Sequence, residues 1–145
     1  MKPRLGSQVL ETALNEQELA QLAQNDSGLS HTLGIVLTHV ASDSVKGYID
    51  IEPRHHQPMG LANGGVLCSV GETLGSVAAM AAAGAPAVGM GNSTEFLKGV
   101  TNGRVEGEAI AVHIGKSTHL WRVEMRQEGR LVATTNLRLM ILREP

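Results

Sequence analysis

The sequence predicts an α+β fold in which a curved antiparallel sheet wraps around one long helix. Three observations carry this reading. Residues 64–83 keep a helical spacing of apolar positions, two β-rich runs come before them, and four extended segments divided by turn residues come after. The chain of 145 residues fits a single domain spanning 1–145, and a hydrophobic content of 42% is enough for a packed core.

In chain order, residues 15–25 read as a short helix. Asn15 can cap it, Glu18 stands at the capping-box position, and Leu19, Leu22 and Ala23 make an apolar stripe. The runs 33–40 and 45–51 are β-rich, and Ala41-Ser42-Asp43-Ser44 between them reads as a hairpin turn. On the long helix, a rotation of about 100° per residue gathers Val66, Leu67, Val70, Leu74, Val77, Ala78 and Ala81 on one core-facing side. Beyond Gly84-Ala85-Pro86 the segments 87–98, 104–114, 118–127 and 131–142 are extended. Thr101-Asn102-Gly103, Gly115-Lys116-Ser117 and Glu128-Gly129-Arg130 supply the turns between them. In the third segment His119, Trp121, Val123 and Met125 alternate with more polar residues, the pattern of a half-buried antiparallel strand. The short charged tail after Leu142 is expected to fray.

Glu72 is the one charge in the long helix, and the side around it is unusual. Gly65, Cys68, Ser69, Ser76, Ala79 and Ala83 flank it, where a solvent-facing helix side normally carries Lys, Arg, Gln and further Glu. Most helical glutamates do point to water. A small-residue face instead suits close approach of a ligand or another backbone, which makes Glu72 a candidate base or nucleophile. Immediately before the helix stands Asn63-Gly64-Gly65. The first N–H groups of a helix have no internal partner and the dipole is positive there, so this start can stabilise an oxyanion. Gly-Gly can equally make a turn and Asn63 a cap, and the two roles are compatible.

Several function classes are excluded by composition or spacing. A net charge of −2 and an aromatic content of 2% leave neither the charge nor the stacking surface for nucleic acid. Cys68 is the single cysteine, which rules out an intrachain disulfide and is compatible with a reducing compartment. The basic N-terminus is followed by no continuous apolar run, which favours a cytoplasmic protein over a secreted one. Residues 73–91 are uncharged but rich in Ala and Gly and broken by Gly84 and Pro86, a poor membrane span. His55 and His56 are adjacent, cannot share one face and lack a third ligand at a recognisable spacing, so they read as loop histidines and no metal is expected. Cys68 lacks the positive surroundings of an activated thiol and reads as a small buried residue. Neither a Gly-x-Ser-x-Gly elbow nor a phosphate loop occurs, and no cofactor is expected.

The element order, the run Gln57-Pro58-Met59-Gly60-Leu61-Ala62-Asn63-Gly64-Gly65-Val66, and Glu72 on the helix after it together resemble the hot-dog-fold acyl-CoA thioesterases. Within these, the pattern is similar to the group containing the phenylacetate-pathway, 4-hydroxybenzoyl-CoA and enterobactin proofreading thioesterases. Gly103-Arg104-Val105 and His113-Ile114-Gly115-Lys116 strengthen the likeness, which covers about residues 33–142. The resemblance implies hydrolysis of an acyl thioester, carried by coenzyme A or an acyl-carrier protein. Glu72 would be nucleophile or general base, Gln57 would hold the acyl carbonyl, the N–H of Gly64 would be the oxyanion donor, and Ser76 would position water. It further implies dimers or tetramers with shared active sites, the ligand or a partner backbone lying against Gly65 and its small neighbours. Coenzyme A would sit near Arg104 and Gly115-Lys116-Ser117. Two departures stand out: Asn63 where many members have His, whose amide can still donate a hydrogen bond to the acyl carbonyl but cannot take a charge or transfer a proton, and Phe96 where some have His in the following strand, which favours a more apolar acyl group. The rival reading is a catalytically weak hot-dog module that binds acyl-CoA.

Overall fold

Asn63 starts the long helix and Gly84 ends it. The Asn63 side chain accepts a hydrogen bond from the Gly65 N–H, and Gly84 adopts the left-handed conformation (φ 64°) that closes a helix C-terminus. This helix, α3, spans Gly64–Ala83 in a computed structural model that describes residues 2–145. Before it come α1 (Glu16–Asn25), α2 (Leu29–Leu33), β1 (Val36–Val40), β2 (Ser44–Ile51) and a 3-10 turn (Pro53–His55). After it come β3 (Ala87–Phe96), β4 (Gly103–Ile114), β5 (Thr118–Gln127) and β6 (Arg130–Ile141). The strands form one six-stranded sheet in the order β1-β2-β4-β5-β6-β3, antiparallel throughout. The connection through α3 therefore carries the chain from β2 across the sheet to its far edge, and leaves β1 and β3 as the two edges.

Register shifts at Leu37/His39, Gly89/Gly91, Ala111/His113 and Met125/Arg126 bend the sheet around the helix. All seven residues of the predicted core stripe, from Val66 to Ala81, are buried against Val45, Ile49, Val105, Trp121, Val123, Leu137 and their neighbours. This is the hot-dog architecture. Among the described residues α3 is the one helix long and apolar enough to cross a membrane, and here it is the core helix of the sheet.

The helix lies very close to β6. A Cβ added at Gly71 would fall 2.1 Å from Thr135 Oγ1, and one at Gly75 would fall 2.6 Å from a Leu137 methyl. Glycine at these positions removes the side chains that would hold helix and sheet apart.

The N-terminal segment ties down the other end of α3. Leu10 is fully buried; its N–H donates to Ala81 O and its carbonyl accepts from the Ser42 N–H. Around α1 the anticipated capping box forms between Asn15 and Glu18. Arg4 makes a bidentate pair with Glu18 at 2.7 Å, and that pairing, with the Asn15 N–H, holds the Glu18 carboxyl down to about 2.

Three local expectations change. The run taken as a strand from residue 33 begins instead at Val36, because residues 29–33 close a helical turn that Gly34 ends at φ 83°. A five-residue helix is too short for its periodicity to register. β3 stops at Phe96 because the N–H groups of Leu97 and Lys98 both turn to the carbonyl of Val132, the residue bulged out of β6. Cys68, read as a small buried residue, is half-buried because it stands on the face of α3 that lines an open cleft, while His55 lies in the loop as expected, 1% exposed, its ring bridging the Glu52 N–H and Leu33 O.

A Gly71→Ala substitution tests the close approach. In an open helix the change stabilises by about 0.5–1 kcal/mol, whereas overpacking against a short buried side chain costs about 1–3 kcal/mol. The expected outcome is a net loss of roughly 1–2 kcal/mol, read as a lower urea midpoint at unchanged slope.

Candidate functional site

The loop from β2 to α3 is built to present two groups. The His55 ring accepts from the Glu52 N–H at Nδ1 and so carries its proton on Nε2, which donates to Leu33 O. The His55 carbonyl takes the Asn63 N–H at 2.8 Å, and Ala62 N–H donates to Val100 O at 2.7 Å. Inside this frame the chain reverses between Gln57 and Leu61, with Gly60 at φ 80°. Gln57 is half-buried and its Oε1 accepts from the Met59 N–H, which leaves its Nε2 amino group without a partner among the described residues.

The helix start is the second group. Asn63 Oδ1 takes the Gly65 N–H at 2.8 Å, so the capping role is realised. The Gly64 N–H has no acceptor among the described residues and sits at the positive end of α3. The Phe96 ring lies over Gly64, where an added Cβ would come within 2.5 Å of Phe96 Cζ. That contact is a further reason for glycine at this position.

Glu72 lies two turns further on, half-buried in an open cleft of about 420 Å³ lined by Ser30, Cys68, Ser69, Thr73 and Asn92. Its carboxylate rests against β3: a Cβ added at Gly89 would fall 2.5 Å from Glu72 Oε1. The amide of Asn92 donates to Glu72 Oε2 at 3.3 Å and to the Cys68 carbonyl at 3.1 Å. Ser76 follows one turn after Glu72 and is half-buried, but the hydrogen bond to the carboxylate comes from Asn92. Sequence reasoning missed Asn92 and the close contact with Gly89. The signal was present in Gly89-Met90-Gly91-Asn92, since two glycines around one residue of a strand mark a bulge and a close approach.

The remaining candidate residues lie on other parts of the sheet. Arg104 is the second residue of β4, bonded to both oxygens of Asp50 at 2.8 and 3.1 Å and stacked 3.6 Å over the Tyr48 ring. This pairing holds the Asp50 carboxyl below the usual carboxylate range. Gly115, Lys116 and Ser117 form the turn after β4, at the other end of that strand, on the order of 35 Å away at the rise of extended chain. One chain therefore does not bring Arg104 and this turn to a common point. Among the described residues no group of three His, Cys, Asp or Glu side chains could hold a metal ion.

Comparison with known proteins gives a consistent result. The family described as Thioesterase superfamily matches residues 59–134. A provisionally named esterase of Vibrio cholerae is 35% identical over 124 residues, covering 83% of each chain. The proofreading thioesterase EntH of Cronobacter sakazakii is 34% identical over 113 residues, 76% of this chain and 82% of that one. The crystal structure of S. sahachiroi AziG superposes with a TM-score of 0.79 at 34% identity, over 82% of this chain and all (100%) of the other.

The cap geometry makes its own prediction. Asn63→Ala is expected to cost about 1 kcal/mol of stability, while Asn63→Asp, an equally good cap, should leave the thermal melt nearly unchanged. A melt of Asn63→Ala indistinguishable from wild type would contradict the cap.

Proposed function

The chain belongs to the thioesterase superfamily and is a thioester hydrolase, and we propose that it cleaves acyl-coenzyme A or acyl-carrier-protein thioesters in the cytoplasm, with Glu72 as the reacting carboxylate. The observation that carries this reading is Glu72 itself, a carboxylate pressed against backbone in a cleft whose other polar groups are neutral. Either its oxygen attacks the acyl carbon to give a mixed anhydride that water then opens, or it takes a proton from the water that attacks. Both routes break the C–S bond, release the thiol and the acid, and collect negative charge on the carbonyl oxygen. The N–H of Gly64 and the amide of Gln57, both without an acceptor among the described residues, are suited to stabilise that charge.

Those donors and Glu72 cannot serve one carbonyl within a single chain. Gly64 and Glu72 are eight residues apart on one helix, about 12 Å along its axis. A two-fold axis passing near Cys68, midway between them, would set Gly64 of each copy opposite Glu72 of the other and complete two sites at once. Gly65, without a side chain, and the small side chains of Cys68 and Ser69 permit that approach. The long edge strand β3, with Val88, Met90 and Phe96 exposed, offers the surface for pairing. The acyl group has a place beside the cleft. An apolar cavity of about 280 Å³ between α1, β1 and α3, walled by Leu19, Leu22, Val77 and Met80, shares Ser30 and Thr73 with the Glu72 cleft. This favours an aliphatic acyl chain, consistent with Phe96 in place of a polar residue.

Complementation tests the shared site. Glu72→Gln and Gln57→Ala should each be nearly inactive, and an equimolar co-assembly of the two should recover roughly a quarter of wild-type turnover, because half the dimers are hybrids with one intact site. A co-assembly as inactive as its parents would place the site within one chain. Separately, Leu22→Trp should fill the apolar cavity and lower kcat/KM for long-chain acyl-CoA by about tenfold or more relative to acetyl-CoA. An unchanged chain-length profile would remove the cavity from the substrate path.

A further inference from the structure

We propose that Asn92, Thr94 and Thr135 form a directed hydrogen-bond relay that positions the Glu72 carboxylate, with Asn92 and Thr94 as positioning residues; the inference rests on the reading of Glu72 given above. Asn92 Nδ2 contacts Glu72 Oε2 at 3.3 Å and Cys68 O at 3.1 Å, Thr94 Oγ1 lies 2.7 Å from Asn92 Oδ1, and Thr135 Oγ1 lies 2.7 Å from Thr94 Oγ1.

The ends of this chain fix its direction. An ionised carboxylate and a backbone carbonyl can only accept, so Asn92 must turn its NH₂ towards them. Its oxygen then faces Thr94, which has to donate. The one Thr94 proton is thereby committed, and Thr135 has to donate in turn to Thr94. Each member has a single consistent orientation, and a reversal at any link would set two acceptors against each other.

The anchor of the relay is rigid. Thr135 is 0% exposed on β6, wedged beneath Gly71 of α3, and pairs in register with Thr94 of β3. Asn92 by contrast is exposed, held on its NH₂ side by the Cys68 carbonyl and the Glu72 carboxylate. In the flipped state its oxygen would face the carboxylate and drive it from its place against Gly89. The Cys68 carbonyl, which can only accept, opposes the flip, and Thr94, by donating to Asn92 Oδ1, adds to the preference for the orientation that serves both acceptors. A carboxylate that must meet an acyl carbon on a second subunit gains from this fixing, since a misplacement of about 1 Å can lower the rate by about 10².

The test compares Thr94→Val, Thr94→Ser, Asn92→Asp and Glu72→Gln by steady-state hydrolysis of one acyl-CoA, with thermal melts in parallel. Thr94→Val keeps the shape and loses the hydroxyl, and its kcat is expected to fall by about tenfold with KM changed less than about twofold. Thr94→Ser should restore kcat to within about twofold of wild type, a rescue that lost packing would not give. Asn92→Asp, which sets a like charge against Glu72, should lower kcat at least as far as Thr94→Val. Wild-type kcat in Thr94→Val beside an inactive Glu72→Gln overturns the relay alone, as does a Ser variant as slow as the Val variant or a change confined to KM. Wild-type turnover in Glu72→Gln overturns the assignment of Glu72, and the relay with it.

Discussion

The packing of Gly71 and Gly75 of α3 onto Thr135 and Leu137 of β6 sets the separation between helix and sheet, and the candidate site depends on that separation. Glu72 follows Gly71 directly, so the contact that seats the helix also fixes how far the carboxylate stands from β3. At that distance Gly89 can lie against Glu72 Oε1 and Asn92 can reach Oε2. A helix held further out by side chains at 71 and 75 would carry the carboxylate away from both. The core stripe of α3 supplies most of the apolar burial on one side, and the glycines convert that burial into position on the other.

The polar surroundings of the cleft are equally specific. Arg4, Arg104, Arg122 and Arg126 are engaged with carboxylates of α1, β2 and β5. The group in hydrogen-bond contact with Glu72 is a neutral amide. A neutral donor orients a carboxylate without neutralising it, which suits a group meant to attack or to accept a proton. At the other end of the half-site the Gly65 N–H is satisfied by Asn63, and the Gly64 N–H has no acceptor among the described residues. The cap thus orders the first turn and keeps one donor free, so capping and carbonyl recognition are served by neighbouring groups rather than in competition.

Much of the fold was legible because it rests on local patterns. The limits of α3, the capping box at Asn15 and Glu18, and the alternation of β5 appear in the structure where periodicity and turn chemistry placed them. The short α2, the pinned ring of His55 and the early end of β3 were not legible. Two of them are decided by a partner more than ten residues away, Leu33 O for His55 and Val132 O for Leu97 and Lys98, and α2 is too brief to carry a period of its own.

The candidate site divides along the same line. By itself the sequence determined that one carboxylate stands on a small-residue helix face, with an open helix start eight residues before it, because helical rotation and rise are properties of the backbone alone. That Asn92 and Gly89 are the groups that meet Glu72, and that the glycine bulge of β3 lets them, was decided by the tertiary structure. β3 reaches α3 only after the chain crosses the sheet to its far edge, and no local spacing records which strand residues will face the helix once it arrives.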